Sequence, residues 1–194
     1  MRPDGESAFQ GGAQDGAQGG AQDGSQSAMQ DGPTKGPDLE VELISAHTRI
    51  TGTVNLGTYM RLSDLLNFLD PVVTVTGGAV LDKAGAKTAD GAPELDVWLH
   101  NLSIVLDHSS YVPPPDSLLV EKKSYQMIAI TKAHVINATF FIYPSADPVT
   151  YLRAREPRWI AVTDVTVRSL GDGSQAKAKF AILNRESVVA SSVV

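Results

Sequence analysis

The sequence predicts a mainly β protein: two fused small-barrel-like repeats, each of four or five short strands and one short helix, behind a disordered N-terminal tail. Three observations predict it. Short segments rich in β-branched residues, many alternating apolar with polar, recur from Leu39 to the end of the chain. The same part of the chain matches itself, since a shift of 134 − 47 = 87 puts Ala46-His47 on Ala133-His134 and Val73-Thr74-Val75-Thr76 on Ile160-Ala161-Val162-Thr163. Before it lies a four-residue pattern, Gly12-Ala13-Gln14-Asp15 through Gly24-Ser25-Gln26-Ser27, with almost nothing to bury.

Taken in order, Leu39-Val41-Leu43 alternates with acidic residues as a half-buried strand does, and Arg49–Leu56 alternates again. Apolar residues at 62, 65, 66 and 69 then follow helical spacing, and Pro71 ends the helix. Val72–Thr76 is a strand that turns at Gly77-Gly78 and resumes at Ala79-Val80-Leu81. Val97–His100 and Leu102–Leu106 read as an extra hairpin, and Pro113-Pro114-Pro115 breaks the pattern. Tyr125–Ile130 and Ala133–Phe141 are strands, and Asp147-Pro148 opens a second short helix, with Asp147 as its cap. Trp159–Val167 is a strand, Gly171-Asp172-Gly173 a turn, Lys179–Leu183 its return and Ser187–Ala190 the last strand.

A second self-match, Met127–Ile130 with Phe180–Leu183, has an offset of 180 − 127 = 53. The fall from 87 to 53 assigns an insertion at about 86–117 to one copy alone. The expected organisation is a tail over 1–38, a first repeat over 39–132 carrying that insertion, and a second repeat over 133–194.

Two stretches carry a resemblance: Arg49-Ile50-Thr51-Gly52 with Arg61-Leu62-Ser63-Asp64, and Trp159–Val167 with Phe180–Arg185. They resemble a bacterial small β-domain family of unknown function, in which R-I-x-G precedes an R-L-S-D helix and an apolar strand ending V-T-D. The resemblance covers about 40–83 and 119–192. The second copy has Val149-Thr150-Tyr151 where the first has Leu62-Ser63-Asp64, and the first has Gly77 where the second has Asp164. More loosely, the implied barrel is similar to Sm-like barrels, which assemble rings and often bind RNA. Their second sequence motif is missing here, so the likeness bears on fold alone.

Composition narrows the chemistry. The chain has 194 residues and no cysteine, so disulfides and thiolate metal sites are excluded. Of a net charge of −6, the stretch up to Glu40 supplies two basic against seven acidic residues, which leaves the remainder nearly neutral. Nucleic-acid binding usually starts from a basic surface, and none stands out on average. Neither a signal peptide nor an apolar run of spanning length is present, so a cytoplasmic protein without a membrane span is expected.

No nucleophile elbow, phosphate-cradling loop or dinucleotide fingerprint occurs, so no enzyme and no cofactor are expected. His47 and His134 occupy matching repeat positions but lack further ligands, and His100 and His108 with Asp96 and Asp107 match no metal motif. No metal is expected. Asp64 is read as a helix cap with Ser63. The one basic, aromatic grouping is Arg153, Arg155, Arg158 and Arg168 with Tyr151 and Trp159, which suits a ligand or a partner protein. The resulting expectation is a non-enzymatic binding or scaffold protein, acting on a protein partner or by self-association. The alternative is RNA or nucleotide binding through those arginines.

Overall fold

The computed structural model describes residues 36–69, 71–82, 85–89, 92–112, 120–154 and 156–194. They are mainly β. Strands β1 (Asp38–Ser45) and β2 (Arg49–Asn55) lead into helix α1 (Leu62–Phe68) and strand β3 (Val72–Leu81). Strands β4 (Lys87–Ala89) and β5 (Glu94–Trp98), a 3-10 turn at Leu99–Asn101, and β6 (Leu102–Asp107) follow. The second group is β7 (Lys123–Thr131), β8 (His134–Ile142), helix α2 (Pro148–Arg153), β9 (Trp159–Ser169), β10 (Gln175–Asn184), a 3-10 turn at Arg185–Ser187, and β11 (Val188–Val193). None of the described helices is long and apolar enough to cross a membrane.

All pairings are antiparallel, in one sheet of order β11-β7-β8-β9-β10-β6-β1-β2-β3-β4, with β5 on the same edge of β3 as β4. The centre of this sheet is buried on both faces. Leu43, Val105 and Ile182, from β1, β6 and β10, belong to one apolar cluster, which also holds the three buried leucines of α1 and Trp159. Their strand neighbours Ile44, Ile104 and Leu183 belong to a second cluster, with Met127, Phe140 and Leu152. Strand alternation forces this split, because successive side chains leave a strand on opposite faces.

The two groups pair in the same way. Ile44 is opposite Arg49, and 130 − 44 = 86 residues later Ile130 is opposite Val135. The β2–β3 register slips between Thr51 and Thr53, as the β8–β9 register does between Asn137 and Thr139. Beside these slips stand Gly77 at φ 61° and Asp164 at φ 54°. A left-handed residue in a bulged strand is the usual geometry of such a slip, and Asp is among the few non-glycine residues that visit it. Strand β6 returns to β1 with a slip at Ser45, and β11 returns to β7 with one between Val188 and Ala190. The first turns also match: the Ser45 hydroxyl accepts from Thr48 N at 2.9 Å, and that of Thr131 accepts from His134 N at 3.0 Å.

Several sequence expectations change. The pair Gly77-Gly78 is not a hairpin turn, because β3 runs through it to Leu81. The span 86–117 contains β4, β5 and β6, and β6 sits between β1 and β10 at the centre of the sheet. Strands β5 and β6 do not form a hairpin with each other: β5 bonds β3, while β6 bonds β1 and β10. Strand β7, placed by the 53-residue match with the first repeat, bonds β8 and β11. The expected tail, up to residue 35, lies outside the described residues, as do 90–91 and 113–117 of the expected insertion.

Candidate functional site

The richest polar arrangement lies where α2 meets β11. The Asp147 carboxylate accepts from the backbone N–H and the hydroxyl of Thr150, both at 2.8 Å, and Pro148 takes the first helical turn. These hydrogen bonds hold the Asp147 carboxyl below the usual carboxylate range, the side-chain bond with Thr150 first. After α2 the chain turns through a cis Glu156–Pro157 peptide towards β9.

Arg185, in the 3-10 turn before β11, holds this corner together. It is 4% exposed. Its Nη1 donates to the carbonyls of Ala154 at 3.1 Å and Glu156 at 2.9 Å, and its guanidinium stands 4.7 Å from the centre of the Tyr151 ring. Burial pulls the guanidinium below its usual range and pushes the Tyr151 hydroxyl above its own. Arg158 pairs with Glu186 at 2.9 Å. Between helix and strand runs a groove of about 600 Å³, lined by Val149, Leu152, Arg153, Arg185 and Val188 to Ser191 of β11.

Strand β11 hydrogen-bonds β7 on one side, and among the described strands nothing bonds its other side. The same holds for β5 at the far end of the sheet, which bonds β3 alone. Large apolar residues stand exposed on these two strands: Trp98 at 52%, Val189 at 62% and Val193 at 42%. Glu94 and Asp96 are exposed on β5, where Asp96 accepts from the Thr74 hydroxyl at 2.9 Å.

The basic grouping read from sequence is dispersed. Arg153 is exposed on the rim of the groove, and Arg158 is half-buried in its ion pair. Arg155 lies outside the described residues. Arg168 sits nine residues along β9 from Trp159, about 30 Å away at the rise of an extended strand. Trp159 is 1% exposed and packs in the core, so it offers no stacking face; its main chain exchanges two hydrogen bonds of 2.9 Å with the Asn67 amide. Arg185, with two main-chain carbonyls and the Tyr151 ring as partners, is not among the residues the sequence singles out. Its sequence signal is faint: a lone arginine beside an apolar strand, with tyrosine and backbone partners about thirty residues away.

His47 and His134 do come together, lining a cavity of about 30 Å³ with Ser45, Thr48 and Ser169. His100 stands edge-on to Trp98, and His108 lies 3.4 Å from Glu42, whose buried carboxylate also pairs with Arg49. Asp107 accepts from both the N–H and the hydroxyl of Ser109. Among the described residues no three His, Asp or Glu side chains converge as metal ligands would. Asp64 lies in the first turn of α1, but the helix begins at Arg61 without a side-chain cap. A second, more apolar hollow of about 540 Å³ is lined by Leu39, Leu62, Tyr111, Val112 and Phe180. No family model, curated protein or solved structure matches the chain.

Proposed function

We propose that the chain is a tandem duplication of one small, barrel-like β unit, and that it works by binding rather than catalysis, as a scaffold whose sheet edges take up a protein partner or another copy. The duplication is supported by the pairing registers, which recur 86 or 87 residues apart, by the matched bulges at Gly77 and Asp164, and by the 3-10 turn before each closing strand. The same registers favour a boundary between β6 and β7. The sheet-like likeness to Sm-type barrels and to the bacterial small β-domain family belongs to this reading.

One observation carries the binding function: among the described strands, β5 and β11 each keep an unbonded edge with large apolar side chains exposed beside it. Unblunted strand edges pair readily with added strands, the main chain supplying affinity and the side chains supplying choice. Nucleic-acid binding is less supported, since Trp159 is buried and Arg168 stands apart from Arg153 and Arg158.

Hydrogen exchange tests this reading. Amides of β5 or β11 that exchange rapidly in dilute protein should slow at least about tenfold when the protein is concentrated or bound to a partner from its host. Exchange at both edges that never slows, with protection arising only elsewhere, would falsify edge binding.

A further inference from the structure

We infer that the partner of these edges is a second copy of the same chain, added head to tail, with β5 of one copy entering the α2–β11 groove of the next. The inference rests on the tandem reading and on edge binding, and it goes beyond them by fixing the occupant and the register.

The argument starts from the joint inside the molecule. Four residue pairs of β10 and β6 join the two groups: Phe180 with Asp107, Ala181 with Leu106, Ile182 with Val105, and Leu183 with Ile104. In each group β5 and β10 hold the same place, bonded to the strand after the helix, and β6 and β11 both close back on the first strand. The internal joint thus uses β10 of one group and β6 of the other, and among the described strands it leaves their counterparts, β5 and β11, each with one unbonded edge at the two ends. A contact of this kind joins unlike surfaces, so it does not exhaust itself in a pair and repeats from copy to copy.

The groove on β11 is the counterpart of a place already filled inside the molecule. Beside β6, helix α1 receives the incoming strands: Ile182 and Trp159 enter its apolar cluster, and Asn67 grips the Trp159 main chain. Beside β11, helix α2 faces the open groove, with Arg153 where α1 has Asn67. Transferring the internal register puts Glu94 opposite Val193, Leu95 opposite Ser192, Asp96 opposite Ser191 and Val97 opposite Ala190. Asp96 then takes the place of Ile182 and points into a groove bordered by Arg153 and Arg185.

Side-chain chemistry follows that exchange. Where the paired stretches Ile104–Leu106 of β6 and Ala181–Leu183 of β10 are apolar on both faces, β11 reads Val-Val-Ala-Ser-Ser-Val and β5 reads Glu-Leu-Asp-Val-Trp. A carboxylate meeting arginines replaces an isoleucine meeting leucines. The outer joint is therefore weaker than the inner one and sensitive to salt, as suits reversible assembly.

The cysteine-free chain allows a direct test on the full-length protein. Glu94→Cys with Val193→Cys puts two thiols opposite each other across the outer joint, at exposed positions that leave Asp96 in place. Glu94→Cys with Ser192→Cys places them on opposite faces of the joined strands. Mild oxidation should convert the first variant into a ladder of covalent multimers and leave the second largely monomeric. In parallel, Asp96→Arg should weaken self-association measured by sedimentation at least about tenfold, and adding Arg153→Asp should restore most of it. A folded first variant that stays monomeric, or equal linking of both variants, overturns the inference. If β11 is protected by a different protein while the pure chain neither associates nor crosslinks, edge binding stands and the second copy is wrong. If neither edge is ever protected, both readings fail.

Discussion

Asp172 shows how a single side chain sets a local pH response. Its carboxylate accepts from the N–H and hydroxyl of Ser174 in the β9–β10 turn, at 3.0 and 2.8 Å, and these bonds lower its pKa from 3.8 to about 2. A depressed pKa means the contribution to stability is complete above the unfolded value and is lost as pH falls through the folded one. Between pH 3.8 and about 2 the wild-type Tm should therefore fall more steeply than that of Asp172→Ala, with the two slopes converging below that window. At Gly77 the constraint is the backbone: φ is 61°, and a Cβ would meet nothing within 4 Å. Gly77→Ala should then cost about 1–2 kcal/mol in urea unfolding, from the left-handed backbone alone, while Asp164→Gly should be tolerated. In sequence Gly77 reads as a turn, because a bulge and a turn ask for the same backbone freedom.

Among the elements, the two helices were the most legible. Leu62, Leu65 and Leu66 are the buried face that the spacing implied, and Asp147 caps α2 as read. Helices of seven and six residues do not stand alone in water, so docking stabilises them. Asn67 supplies part of that docking by bridging α1 to the start of β9. Asn67→Ala should cost about 1–2 kcal/mol of unfolding free energy, because it removes both hydrogen bonds to the Trp159 main chain as well as the amide's bond to the Ser63 carbonyl. No periodicity marks a residue for this task, since its partner stands 92 positions away. Strand β6 had a legible signal of its own: Leu102–Leu106 is nearly all apolar, the pattern of a strand buried on both faces, and all five residues are buried. Beside the proline run at 113–115, the same pattern reads in sequence as part of an insertion.

Across the whole molecule, the main consequence is that the two groups share their stability. Trp159, from the second, is 1% exposed within the cluster built mostly by the first. Trp159→Ala should cost about 3–5 kcal/mol, and circular dichroism and calorimetry should still report one coincident transition. A separate early transition for one group would show that they fold independently. The mainly β character, the two helices and the absence of cysteine chemistry were written in the sequence, because each depends on neighbours a few residues apart or on composition. The 86-residue register, the place of β6 at the centre of the sheet, the gathering of Arg185 with Tyr151 and the open edges of β5 and β11 were decided only in three dimensions. Strand order and edge exposure depend on which distant segments meet. The same alternating pattern serves a strand with two neighbours or with one, so only the assembled sheet shows which edges remain to be filled.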